Sequence, residues 1–256
     1  MRAPRLGLPY LATSLIASGV FCLIVGDFAM DWQPAPAWLP GRAVLALAVA
    51  ALQAALGAGL LASRTRATAS RILLAYVLVW WLLLEVPPVV AHPLVEMTWL
   101  ELGMIGTLVA AGWVLFDEAR GRGSVSGRGP RLLLGLGLIP IGLSHFFYLQ
   151  TTLGMVPKWL PHPTGWAVLT GLAHLAAGLG ILAGVLPRLA AQLEAGMLTV
   201  FTLLVWVPAV AAAPGSRSDW SELLASWTVG AAVWVVADAF GDVPWAGRSR
   251  SPLLPS

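Results

Sequence analysis

The sequence predicts an all-α, polytopic integral membrane protein: eight transmembrane helices arranged as two parallel four-helix repeats. Three observations predict this. The composition is too apolar for a surface in water, the chain matches itself at a fixed offset, and its basic residues fall in alternate loops. Of 256 residues, 58% are hydrophobic and 11% are charged, against about 25% charged in an ordinary soluble domain. Mean hydropathy is +0.81. Such a chain cannot cover a soluble fold with charge, and it is too apolar to stay disordered, so a soluble enzyme and a disordered segment are both excluded. One span takes about 20 residues, so eight fit within the chain.

The self-match lies at an offset of 121 residues. Pro36-Ala37-Trp38-Leu39-Pro40 falls on Pro157-Lys158-Trp159-Leu160-Pro161, and Gly57 and Gly59 fall on Gly178 and Gly180. Val86-Pro87 meets Val207-Pro208, Trp99 and Glu101 meet Trp220 and Glu222, and Asp117 meets Asp238. Apolar composition alone aligns Leu and Ala. It does not align Trp, Pro, Glu and Asp in one register, so the chain reads as a tandem duplication.

The first repeat, 1–118, holds apolar segments at 7–28, 43–62, 70–91 and 99–116. Arg2 and Arg5 before the first segment imitate a signal peptide. A matching segment recurs later, so it reads as a retained span. The Pro-x-Trp-Leu-Pro loop follows; proline at both ends forbids continuous helix, and tryptophan favours the headgroup layer. The second span is rich in small residues, the third ends at Pro87-Pro88, and the fourth starts near Trp99 and ends at Asp117. Residues 119–130, rich in Gly, Ser and Arg, read as a flexible linker. The second repeat, 131–240, has segments at 131–150, 164–184, 190–212 and 220–240, and 241–256 reads as a disordered tail. Four spans per copy give both copies the same orientation.

Arg2, Arg5, Arg64, Arg66, Arg71, Arg120, Arg122, Arg128, Arg131, Arg188, Arg248 and Arg250 fall on one side; Arg42, Lys158 and Arg217 fall on the other. The positive-inside rule then puts both termini in the cytoplasm of a bacterial or archaeal inner membrane. The pI near 9.6 reflects this topology rather than nucleic-acid binding. Cys22 is the sole cysteine, which leaves neither a disulfide nor a cysteine-only metal site.

The Pro-x-Trp-Leu-Pro loop, the small-residue second span ending in Gly-x-Gly and the Trp-rich fourth span together resemble the DoxX family of small four-span membrane proteins. Gly142-Leu143-Ser144-His145-Phe146 and the run from Trp166 to Gly180 make the second repeat the closer match. The family often has a carboxylate where His174 stands; the first repeat has Gln53 there. The resemblance implies the fold, and it implies a link to membrane redox complexes that use quinones.

An ionisable group inside a membrane is a functional candidate by default. Gln53 and His174 sit midway along the second and sixth spans, flanked at helical spacing by Ala46, Ala50 and Gly57, or by Ala167, Gly171 and Gly178. This places each on a tightly packed face, as a register-fixing hydrogen bond or as a ligand contact. Glu85 lies just before Pro87-Pro88, where proline frees carbonyls, and its repeat mate is Trp206. Asp27 ends the first span and falls opposite His145 when three residues are inserted. Glu194 reads as solvated near the cytoplasmic end of its span. Glu101 and Glu222 begin spans, where a carboxylate complements the helix dipole. His145 and His174 differ in depth along their spans, which argues against a haem pair. No metal-ligand spacing, phosphate loop or catalytic constellation appears, so an autonomous catalytic activity is not expected. Gly57/Gly59 and Gly178/Gly180 read as packing notches.

Three functions compete. The first is an accessory or quinone-interacting subunit with a membrane redox partner, the second a small-solute carrier, and the third a scaffold for a partner protein. The candidate ligand contacts are Glu85, Gln53, His174, His145 and Asp27.

Overall fold

The computed structural model describes residues 5–29, 33–121, 128–241 and 243–245. Every described element is a helix or a turn: α1 (Gly7–Val25), α2 (Arg42–Leu61), α3 (Arg66–Ala91), α4 (Glu96–Ala119), α5 (Arg128–Phe147), the short α6 (Leu149–Met155), α7 (Pro163–Ala183), α8 (Pro187–Ala212) and α9 (Arg217–Ala239). All except α6 are long and apolar enough to cross a membrane. The chain is therefore an eight-span helical membrane protein. Large apolar side chains point outward along it, among them Ile24, Val44, Leu83, Val90 and Leu193. In water these would be a liability; in lipid they are the solvated surface.

The helix bounds differ from the sequence expectation by a few residues. The third and fourth spans begin earlier, at Arg66 and Glu96, and the fifth begins at Arg128, inside the segment read as linker. The fifth span also ends at Phe147, and α6 follows as a separate helix before the Pro157–Pro161 loop. Residues 122–127 of the expected linker, and 242 and 246–256 of the expected tail, lie outside the described residues.

Small residues set the packing. A Cβ on Gly19 would stand 2.5 Å from Ala50 O, and one on Gly57 would stand 2.4 Å from Ala12 O, so α1 and α2 touch backbone to backbone. Gly135 and Gly178 join α5 to α7 in the same way, and Gly103 and Gly137 join α4 to α5. Where lipid tails are as apolar as leucine, such close approach supplies the dispersion contact that holds helices together. The central pair is α4 and α9, the two most buried spans. Around it, α1 packs on α2 and α9, while α5 packs on α7 and α4.

Proline does not break the third and seventh spans. The turns before it widen instead, to π-helix at Trp81–Glu85 and Thr202–Trp206, and α-helix resumes at Val86 and Val207. Pro87 and Pro208 lack an N–H, and each ring crowds the carbonyl four residues back; a π-turn absorbs both defects. The two π-turns are 121 residues apart, as are the starts of α2 and α7, α3 and α8, and α4 and α9.

Candidate functional site

Three elements of the second half converge on one buried cluster. The crossing of α5 and α7 depends on Gly142 and Gly171: a Cβ on Gly142 would lie 2.9 Å from Gly171 O and 3.0 Å from His174 Cβ, and one on Gly171 would lie 2.8 Å from His145 Cβ. This approach brings the His145 and His174 rings to a centroid separation of 5.1 Å. From α8, Glu194 reaches the same place, and its Oε1 lies 2.6 Å from His174 Nδ1. His174 and Glu194 are each 1% exposed.

His145 Nδ1 faces Ala167 O at 3.2 Å and Thr170 Oγ1 at 3.1 Å, so α7 orients that ring as well. Phe201 on α8 closes one side, with its ring 6.0 Å from His174 and 6.4 Å from His145. Glu194 Oε2 is buried without a hydrogen-bond partner. A carboxyl group in contact with an imidazole, away from water, is a site where a proton can be held and moved between neighbours. It also offers hydrogen-bond donors beside an aromatic face.

Two expectations are corrected here. Glu194 is not solvated. It lies about two turns inside α8 and turns inward onto His174, which depth along the span could not reveal. Nor does the depth offset separate His145 from His174. The helices cross at glycine and set the rings side by side, too close to sandwich a metal-centred macrocycle between them.

The first half places a different group at the matching point. Gln53 is fully buried on α2, and its Nε2 donates to Tyr76 Oη on α3 at 2.7 Å. Gln33 Nε2 donates to the same hydroxyl, while Gln33 Oε1 accepts from the Ala29 N–H. Neither Gln33 nor Tyr76 was among the candidates. The signal available was a phenol in an apolar span, which needs a hydrogen-bond partner once buried.

Glu85 sits apart from both clusters. It ends the π-turn of α3, is 2% exposed, and has Oε2 without a hydrogen-bond partner. Glu101 of α4 is its acidic neighbour, and Trp81 of the same turn donates to Leu102 O at 2.9 Å. Asp27 joins no cluster of candidates. It accepts from Arg217 Nη2 at 2.9 Å and from Arg42 Nη1, so one carboxylate ties the end of α1 to the starts of α2 and α9. Arg217 also donates to Phe28 O at 3.1 Å. Burial opposes ionisation of Asp27, but the hydrogen bonds from Arg217 and from the Phe28 N–H, with the Arg42 and Arg217 charges, outweigh it. They hold the carboxyl below its ordinary range. Among the described residues, no group of three or more His, Cys, Asp and Glu side chains has metal-holding geometry.

Residues 130–207 match the DoxX family model. The match covers α5 to the π-turn of α8, including every residue of the His145–His174–Glu194 cluster, and stops before α9. No curated protein and no solved structure matches the chain.

Proposed function

We propose that this DoxX-like membrane protein is a quinone-interacting accessory subunit of a membrane redox system, with the His145–His174–Glu194 cluster as its proton-handling site. The observation that carries the reading is the 2.6 Å contact between two fully buried titratable groups, with a second imidazole against the first. The side chains fit such a ligand: imidazoles to meet a ring carbonyl, and Phe201 to lie against a flat face. Reduction of a bound quinone consumes two electrons and two protons; the electrons come from a redox partner. In this reading Glu194 holds a proton at its carboxyl and passes it to His174 Nδ1, His174 presents the opposite edge of its ring to the ligand, and Thr170 fixes His145 beside it.

The same reading takes 1–118 and 131–240 as two copies of one four-helix unit, with both termini in the cytoplasm. The 121-residue spacing of helix starts and π-turns supports the duplication. The test is extraction of lipids from protein purified in a mild detergent. About one quinone per chain is expected from the unmodified protein. Little is expected from His174→Gln or Glu194→Gln, and an unchanged amount from Gln53→Leu. Absence of quinone from the unmodified protein refutes the reading.

A second reading, a small-solute carrier coupled to protons or cations, is favoured by one observation: Glu85 is buried in a π-turn with a carboxylate oxygen that has no hydrogen-bond partner. Uptake into proteoliposomes that Glu85→Gln abolishes and His174→Gln spares would favour the carrier over the quinone subunit.

A further inference from the structure

The arginine-rich end of the first half contains a cavity of about 750 Å³ between the start of α1, the α2–α3 turn and the ends of α4 and α9. Arg5, Arg66, Glu118 and Asp238 form its polar rim, and Leu61 and Leu115 belong to its apolar wall. Arg5 Nη1 lies 3.0 Å from Glu118 Oε1. Asp238 Oδ2 accepts from the Gly7 N–H at 2.7 Å, capping the positive end of α1. Arg66 donates through Nε to Leu60 O at 2.9 Å, and its two terminal amino groups make no hydrogen bond to any described residue. A guanidinium whose fork is still available, acids close by and an apolar wall at the membrane boundary suit an amphiphile with a phosphate and an ammonium in its head.

The second half shows that this opening is not a general property of the architecture. In the 121-residue register Phe240 stands where Ala119 lines the cavity, and Phe240 is 1% exposed. Arg188 stands where Ala67 does. Its Nη1 donates to Gly241 O at 3.0 Å and to Val243 O at 3.1 Å, and its guanidinium lies over Trp245. Gly184 stands where Ser63 does, and a Cβ there would meet Arg131 Nη2 at 2.7 Å. That Arg131 is tied down to Ile181 O and Leu182 O. Side chains and the chain after α9 fill in the second half what alanine and serine leave open in the first.

We propose that the first-half cavity is a binding site for one phospholipid of the ethanolamine class from the leaflet at the arginine-rich face. Arg66 holds the phosphate, Glu118 meets the ammonium, and the acyl chains leave along Leu61 and Leu115. The rim carries two arginines and two acids, so a headgroup without net charge matches it. This proposal is independent of the quinone reading.

The test is native mass spectrometry of the full chain after graded delipidation, with phosphatidylethanolamine or phosphatidylglycerol supplied and with free phosphoethanolamine as competitor. The unmodified protein is expected to keep one phosphatidylethanolamine when other lipids have left. Arg66→Gln should lower that retention about tenfold. Ala119→Phe, which copies the second half and alters no charge, should abolish it, and Lys158→Gln at the opposite face should leave it unchanged. If Ala119→Phe does not fold, Ala119→Leu serves as a smaller plug. Three results overturn the proposal: no retained phospholipid in the unmodified protein, retention that survives both cavity variants, or phosphatidylglycerol held as tightly. Displacement by free phosphoethanolamine at equal concentration overturns the claim that the acyl chains are recognised.

Discussion

Gln53 and His174 occupy one register on α2 and α7, each against a neighbouring span, yet they end in different chemistry. In the first half the partner from the next helix is Tyr76, and a second amide, Gln33, joins it in a neutral network. In the second half, Met197 stands at the Tyr76 position. The partner comes from one turn earlier, where Glu194 replaces Leu73. A phenol between two amides fixes helix register without a net charge. A carboxyl against an imidazole puts two titratable groups in contact on the same backbone. Chemistry in this architecture is therefore set by which rung of the adjacent helix is polar, while small residues keep the helix crossings.

The largest expected effect tests that contrast. His174→Ala leaves the buried Glu194 carboxyl without its hydrogen-bond partner and should cost up to about 3 kcal/mol, the penalty for a buried polar group left unsatisfied. Gln53→Ala removes a neutral contact and should cost about 1 kcal/mol. Denaturant titration in detergent measures both, and equal losses would break the comparison. Next comes Gly142→Val: the added atoms must move α5 from α7, at a cost of about 1–3 kcal/mol. It should reduce quinone retention by spreading His145 from His174, although it removes no titratable group.

The ion cluster at Asp27 sharpens the comparison from the end of α1 opposite Arg5, because it joins the first half to α9 of the second. Its folded carboxyl titrates below the unfolded value of about 3.9. Its contribution to stability is therefore complete above that value and is lost as pH falls through the folded one. Thermal melts should show a constant contribution from this group between pH 7 and 5 and a decline below about pH 4, and Asp27→Asn should flatten the decline. The smallest effect is expected from Arg5→Gln. Its ion pair with Glu118 is half exposed on the arginine side, and surface pairs of this kind are worth under about 1 kcal/mol.

Much of the fold was legible in the residues. The apolar runs located all eight spans, and the small residues flanking Gln53 and His174 marked the faces that pack. Other features were not legible, for identifiable reasons. Glu194 looked solvated because distance from a helix end says nothing about which neighbour a side chain faces. His145 and His174 looked separate in depth because the Gly142–Gly171 crossing is a tertiary fact. Val86-Pro87 and Val207-Pro208 announced a defect without saying that a π-turn would absorb it. The first-half cavity lies where Ala119 and Ala67 stand and the second half has Phe240 and Arg188, a difference that carries no motif.

The most direct test of the proton-site claim is ¹⁵N NMR of histidine-labelled protein in detergent, titrated with a short-chain quinone. The chain has four histidines, and His92 and His162 lie outside the cluster. The account predicts that the His174 ring nitrogens, and to a smaller extent those of His145, shift on titration, that His92 and His162 stay fixed, and that Glu194→Gln abolishes the response. No shift at His174, or a uniform shift of all four, would contradict it.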